Sequence, residues 1–266
     1  MSVQVQSFFH RDSNTFSYLV SDPASGEAAL IDPVLDYDPD TDASSEAPLH
    51  AALQAIEQHR LQLRWLLETH AHADHVSAGR RLKHRFPQAT LAIGEGIRAV
   101  QATFAPRYGL QLPAADEIFD HLFSAGETFA LGELRCQVIA VPGHTSDSIA
   151  YLIDDALFTG DSLFMPDGGT ARCDFPGGDA AQLYRSIQRL LALPDATRVF
   201  VCHDYGPGGR SFANETTIGE QRAHNIHVHD GVAEAEFVSV RQARDATLEE
   251  PKLMQPAVKA NIQGGA

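Results

Sequence analysis

Thr69-His70-Ala71-His72-Ala73-Asp74-His75 places four side chains able to bind a metal within six consecutive positions, directly after the apolar run Trp65-Leu66-Leu67. Imidazole is the commonest protein ligand of zinc, iron and copper, and a carboxylate beside it adds a harder oxygen donor. His70 and His72 are two apart, so an extended chain would aim them at opposite faces. They converge only if the chain leaves a strand here and turns. The reading is therefore a strand over residues 64–68, a metal-binding turn, then a helix over residues 76–86 whose positive end Asp74 caps or faces. A polar loop that happens to be rich in histidine is the competing reading, and the rest of the chain argues against it by supplying partners.

Those partners stand at other predicted strand ends. A hairpin of residues 129–131 and 136–141 delivers Pro142-Gly143-His144-Thr145, a strand over 156–159 delivers Gly160-Asp161, and a strand over 198–202 delivers His203-Asp204-Tyr205. Strand ends from distant parts of a chain gathered on one rim are where function usually sits on a rigid scaffold. Upstream, residues 3–9, 15–20 and 28–31 read as a three-stranded meander, and the acidic stretch 36–46 as a loop or an exposed excursion. Helical periods begin at Pro48, with Leu49, Leu53, Ile56 and Leu61, and run over residues 97–104 and 180–193. Further helices are expected around residues 215–226 and 234–245, and a weakly patterned tail from Pro251 is expected to lie along the surface. Each half has several strands before a helix, which suggests two sheets packed face to face with helices outside. No repeat or composition break marks a linker, so residues 1–266 read as one domain, with about 235–266 a C-terminal extension packed on it.

The 266 residues include 35 acidic and 20 basic side chains, a net charge of -15. That average field repels a duplex or an anionic membrane, so neither nucleic acid nor membrane is expected as a partner. Cys136, Cys173 and Cys202 form no CxxC and leave an odd count, which fits a reducing compartment better than a disulfide scaffold. No apolar run approaches a membrane span and the first ten residues lack signal-peptide architecture, so the chain reads as cytoplasmic.

In content and order these motifs resemble those of the metallo-β-lactamase superfamily, over almost the whole chain. Within it the chain is similar to the persulfide dioxygenases (sulfur dioxygenases), through Ala29-Leu30-Ile31-Asp32-Pro33-Val34, Gly169-Thr170-Ala171-Arg172-Cys173-Asp174-Phe175, His203-Asp204-Tyr205 and Asn225-Ile226-His227. The resemblance implies an α/β fold, the αββα sandwich of two mixed sheets flanked by helices, with the metal site at one edge. It implies one Fe(II) per chain, held by His70, His144 and Asp161, a two-histidine, one-carboxylate face that leaves open positions for O2 and a persulfide sulfur. The implied reaction converts glutathione persulfide and O2 to sulfite and glutathione.

His72, Asp74, His75 and His203 would then orient ligands and water from behind, or hold a second metal if the site is dinuclear. Arg172 and Asp174 are read as a loop clamp beside the substrate, and Arg210 as a partner for a glutathione carboxylate. The other histidines, including His10 and His227, carry no assigned role. Where the family has a small residue and a cysteine after its Pro-Gly-His-Thr motif, this chain has Ser146-Asp147-Ser148. The main rival is a dinuclear thioester hydrolase resembling glyoxalase II, with two Zn ions or mixed metals; a non-enzymatic metal sensor is a third reading. Small-molecule persulfide and O2, an upstream sulfurtransferase and a homodimer are the partners considered.

Overall fold

The strand β2 (Thr15–Ser21) is buried along its whole length because it has a neighbour on each edge and a packed layer on each face. It pairs antiparallel with β1 (Gln4–His10) and β3 (Glu27–Ile31), forming the expected meander. From β3 the sheet continues in parallel through β6 (Gln62–Leu67), β8 (Thr90–Gly94) and β9 (His121–Phe123). Parallel neighbours require crossovers. These are supplied by α1 (His50–Gln58), by α2 (Gly79–Arg85), and by α3 (Ile97–Phe104) with the short α4 (Ala115–Ile118). A computed structural model describes residues 2–266 of the chain.

The second sheet has six strands in sequence order: β10 (Thr128–Leu131), β11 (Leu134–Ala140), β12 (Ile149–Ile153), β13 (Ala156–Phe158), β14 (Arg198–Phe200) and β15 (Glu215–Thr217). The helix α5 (Ala180–Leu191) links β13 to its parallel neighbour β14. After β15 come α6 (Ile218–His224), α7 (Glu234–Asp245) and α8 (Met254–Asn261). The period of two along each strand sorts side chains between layers. Tyr18, Val20, Ala29 and Ile31 enter the core between the sheets with Tyr151, Phe158 and Phe200. Their neighbours Leu19, Ala28 and Leu30 face outward beneath α1, α3 and α8. On the other side Ala150, Leu157 and Val199 meet Leu183, Ile187, Leu190 and Phe237 of α5 and α7. The fold is thus the expected sandwich of helices, sheet, sheet, helices. No helix of the described residues is long and apolar enough to cross a membrane.

Four local expectations are corrected. Residues 76–77 form a strand, β7 (Val76–Ser77), not a helix start, because β4 (Val34–Asp38) takes their backbone groups in an antiparallel pair. The helix begins only at Gly79, whose N–H is accepted by Ser77 Oγ, so Asp74 does not cap it. The acidic stretch is a hairpin of β4 and β5 (Ala43–Ser45), turning through Asp42 at φ 55°. Residues 215–217 are an edge strand, and Thr217 caps α6 by accepting the Glu220 N–H. The tail is not superficial: α8 buries Met254, Ala257, Val258 and Asn261, and Ile262 follows them into the core.

Candidate metal centre

Each motif leaves a strand end and is then held by a buried partner. Asp32, at the end of β3 and itself at φ 46°, accepts the Thr69 N–H at 2.7 Å and the Thr69 hydroxyl at 2.9 Å. Because that hydroxyl donates to Asp32, it accepts from His70 Nδ1 at 3.0 Å, and the His70 ring presents Nε2 inward. Ala71 N–H donates to Asp147 at 2.8 Å. The carboxylate in the divergent Ser146-Asp147-Ser148 run therefore braces the histidine loop. On its far side Asn261 of α8 donates to the His72 and His75 carbonyls at 2.9 and 2.8 Å and accepts the Ser77 N–H at 2.8 Å.

His144 follows Gly143, at φ 144°, where a Cβ would lie 2.3 Å from the Leu183 backbone, so only glycine lets the chain pass α5. The His144 Nδ1–H donates to the Arg172 carbonyl at 2.7 Å, which turns its Nε2 toward Asp161. Asp161 Oδ2 lies 3.9 Å from His70 Nε2 and 3.6 Å from His144 Nε2. The three ligand atoms fall within 4.8 Å of one another.

A second group, His72, Asp74, His75 and His203, meets the same criterion beside the first. Asp74 lies 3.3 Å from His75 Nδ1 and 3.4 Å from His203 Nε2, and Asp161 Oδ1 is 3.3 Å from that same Nε2. His72 Nε2 lies 3.1 Å from Asp32 Oδ1. Burial and the neighbouring imidazoles push the pKa of His70 and of His72 well below the ordinary histidine value, which keeps lone pairs available to a metal. Burial opposes charge on Asp74, yet His203 and His75 hold its carboxyl well below the usual range. Burial also raises the pKa of Asp32 to about 6, despite the Thr69 hydrogen bonds. His70 Nε2, His72 Nδ1, His75 Nε2, His203 Nε2 and Asp161 Oδ1 are buried without a hydrogen-bond partner. Each such atom costs about 1–3 kcal/mol. So many aimed at one place fit a metal centre.

A cavity of about 400 Å³ opens over Asp74, His144 and Asp161, with Phe164, Phe175 and Tyr205 in its walls beside Arg172, Arg241 and Arg244, of which Arg241 is buried and paired with Asp245. Arg172 reaches it while held by Asp174 through two 2.6 Å bonds and stacked over Phe175 at 4.8 Å. Asp174 stands behind Arg172, outside this cavity. The structure does not bring Arg210 there. Its guanidinium is engaged by Asp167 at 2.6 Å and Asp204 at 2.8 Å, so it ties two loops together instead of awaiting a substrate carboxylate.

Sequence reasoning missed Tyr205, Arg241, Arg244 and Asn261. Tyr205 is 57% exposed and its ring stacks on His203 at 6.0 Å; an aromatic next to a candidate ligand was the available signal. The arginines sit on a helix that the sequence does reveal, but its period says nothing of what the helix faces. Asn261 carries no signal at all.

Imidazoles and carboxylates converging at the rim of two packed sheets define a metal-dependent enzyme site. Residues 10–203 match the model described as Metallo-beta-lactamase superfamily, and the chain belongs to that superfamily. It is 44% identical to a probable metallo-hydrolase of Burkholderia pseudomallei, over 98% of this chain and 92% of that protein. It is 41% identical to Glyoxylase B2 of Dictyostelium discoideum (98% and 91% covered) and 29% identical to the mitochondrial persulfide dioxygenase ETHE1 of Homo sapiens (99% and 89%). It spans 60% of the length of an Agrobacterium fabrum beta-lactamase hydrolase-like protein, at 45% identity. Among solved structures, ETHE1 from Myxococcus xanthus superposes with a TM-score of 0.80 at 34% identity, covering 99% of this chain and 100% of that one.

Proposed function

We propose that the chain is a mononuclear iron(II) dioxygenase that converts glutathione persulfide and O2 to sulfite and glutathione. The observation that carries this reading is the convergence of His70, His144 and Asp161, with both rings fixed at Nδ1 from behind, beneath a cavity lined in part by aromatic side chains and arginines. End-to-end likeness to ETHE1 from Myxococcus xanthus supports it. His70, His144 and Asp161 would hold the ion, and iron(II) bound there would supply the redox chemistry that triplet O2 requires. The chain's own part is positional. Phe164 and Phe175 give the cavity apolar walls and Arg244 favours the carboxylates of a glutathione carrier, while Arg172, held by Asp174 and the Glu249 carbonyl, shapes the wall beside it. A sulfurtransferase supplying the persulfide, a homodimer and a cytoplasmic location belong to the same reading.

A second reading has its own observation. His72 Nδ1, His75 Nε2 and His203 Nε2 are also without partners, as a second metal ion would require, and Glyoxylase B2 is 41% identical. Such a pair supplies activated water for thioester hydrolysis. Anaerobic purification with iron and zinc quantified per chain, followed by an oxygen electrode, separates the two. One iron and persulfide-dependent O2 uptake support the dioxygenase. Two metals, no O2 uptake and hydrolysis of S-lactoylglutathione replace it with the hydrolase.

A further inference from the structure

His203 has a different neighbourhood at each ring nitrogen. Nε2 faces Asp74 and Asp161 at the centre of the site. Nδ1 faces outward, 3.3 Å from the Asn14 carbonyl and 3.2 Å from Thr15 Oγ1. A carbonyl only accepts, so Nδ1 carries a hydrogen. From Thr15 the contacts continue without a break. Thr15 Oγ1 is 2.7 Å from Ser13 Oγ, Ser13 Oγ is 2.7 Å from His10 Nδ1, and His10 Nε2 is 3.0 Å from Asp36 Oδ1. The inner end is 1% exposed and the Asp36 side chain 42%, so this file of groups runs from the buried site to solvent. Every link between those ends is a hydroxyl or an imidazole, a group that accepts a proton on one side while giving one up on the other.

We propose that Thr15, Ser13, His10 and Asp36 form a proton relay between His203 and solvent, emerging away from the substrate cavity. It rests on the one-metal reading, in which His203 Nε2 holds no metal ion. Protons must leave in the proposed reaction, because persulfide, O2 and water yield thiol, sulfite and protons. In one passage His203 takes a proton at Nε2 and gives its Nδ1 proton to Thr15. The Thr15 hydroxyl hydrogen passes to Ser13, that of Ser13 passes to His10 Nδ1, and the His10 Nε2 hydrogen leaves by way of Asp36 to water. One proton enters, one leaves to water and no member ends with a changed charge, while His203 and His10 finish as the opposite tautomers and return to the first before the next passage.

A braced turn and a water-filled path are the rivals of the relay. Residues 11–14 form the turn between β1 and β2, closed by Asn14 N–H on the Arg11 carbonyl, so the same side-chain contacts also brace a turn. A second cavity of about 380 Å³ is lined by His10, Ser13, Asp74, His75 and Tyr205, so water there could carry protons instead. His203 Nδ1 discriminates, because its partners are Asn14 and Thr15 and not that cavity.

The test uses full-length protein carrying one equivalent of zinc, verified by metal analysis, with 15N-labelled histidine. NMR reads solvent exchange of the His203 Nδ1–H in the parent, Ser13→Ala and Ser13→Thr. The relay requires exchange to slow about tenfold or more in Ser13→Ala and to stay near parental in Ser13→Thr, with backbone spectra unchanged. In iron-loaded enzyme, His10→Ala should slow turnover and free imidazole should restore it. Unchanged exchange in Ser13→Ala, or equal slowing in both Ser13 variants, overturns the relay. Failure of the dioxygenase reading would appear separately, in the oxygen electrode and the metal count.

Discussion

On the proposed one-iron reading, removing one side chain separates the groups that would hold metal from those that would orient it. Asp161→Ala deletes the only carboxylate of the His70, His144 and Asp161 set, and two imidazoles alone hold iron(II) poorly, since it lies low in the divalent affinity order. Iron per chain should collapse. His203→Ala should keep its iron and lose activity by about 10–100-fold, the usual effect of removing an orienting partner. Metal analysis of both variants decides, and a parent with two metals that drops to one in His203→Ala would establish the dinuclear site. His227 gives a pH effect away from the metal. Burial, then Arg241 and Arg244, lower its pKa to about 4, while its Nδ1 accepts the Thr170 N–H at 3.0 Å. The unfolded chain takes up that proton near pH ~6.5. Its contribution to stability is therefore complete above that pH and lost as pH falls toward 4. Thermal melts of the parent and His227→Gln across this range should show a shallower pH dependence in the variant. The convergence of His70, His144 and Asp161 was legible in sequence because each stands in a recognisable motif at the end of an expected strand. The engagement of Arg210 was not, because Asp167 lies 43 positions away and nothing local announces it.

Among elements, the strands were legible and the ends of helices were not. The apolar runs of β2 and β3 reflect layers packed on both of their faces, so they survive as a pattern. The strand β7 does not, because only pairing with β4 makes two residues extended where local preference permits helix. The helix α8 did leave a trace: Met254, Ala257, Val258 and Ile262 follow a helical period, obscured by Pro251 and Pro256. Its Asn261 supports the histidine loop, so Asn261→Ala leaves the Ser77 N–H and two carbonyls without that partner. Each buried group so exposed costs about 1–3 kcal/mol. Denaturant unfolding should show a lower midpoint. Metal titration should show weaker binding, although Asn261 touches no candidate ligand atom.

For the whole molecule, the two-sheet architecture followed from the order of strands and helices in each half, whereas the sheet order did not. Which strands become neighbours depends on crossovers and buried layers that no single stretch encodes. Net charge acts at this scale too. With -15 spread over the chain, no binding to duplex DNA is expected at physiological salt, and a tight, salt-sensitive gel shift would contradict that. The clamp by Asn261 also has a consequence in time. The histidine loop leaves the ribosome early, but the residue that locks it from behind is made roughly 190 positions later. At about 5–20 residues per second that is a delay of roughly 10–40 s. During it the nascent loop displays unclamped imidazoles to whatever metal is most available, so durable metal choice should fall after release of the finished chain. A ribosome-stalled chain ending before α8 should therefore exchange its metal freely, where the completed protein retains it.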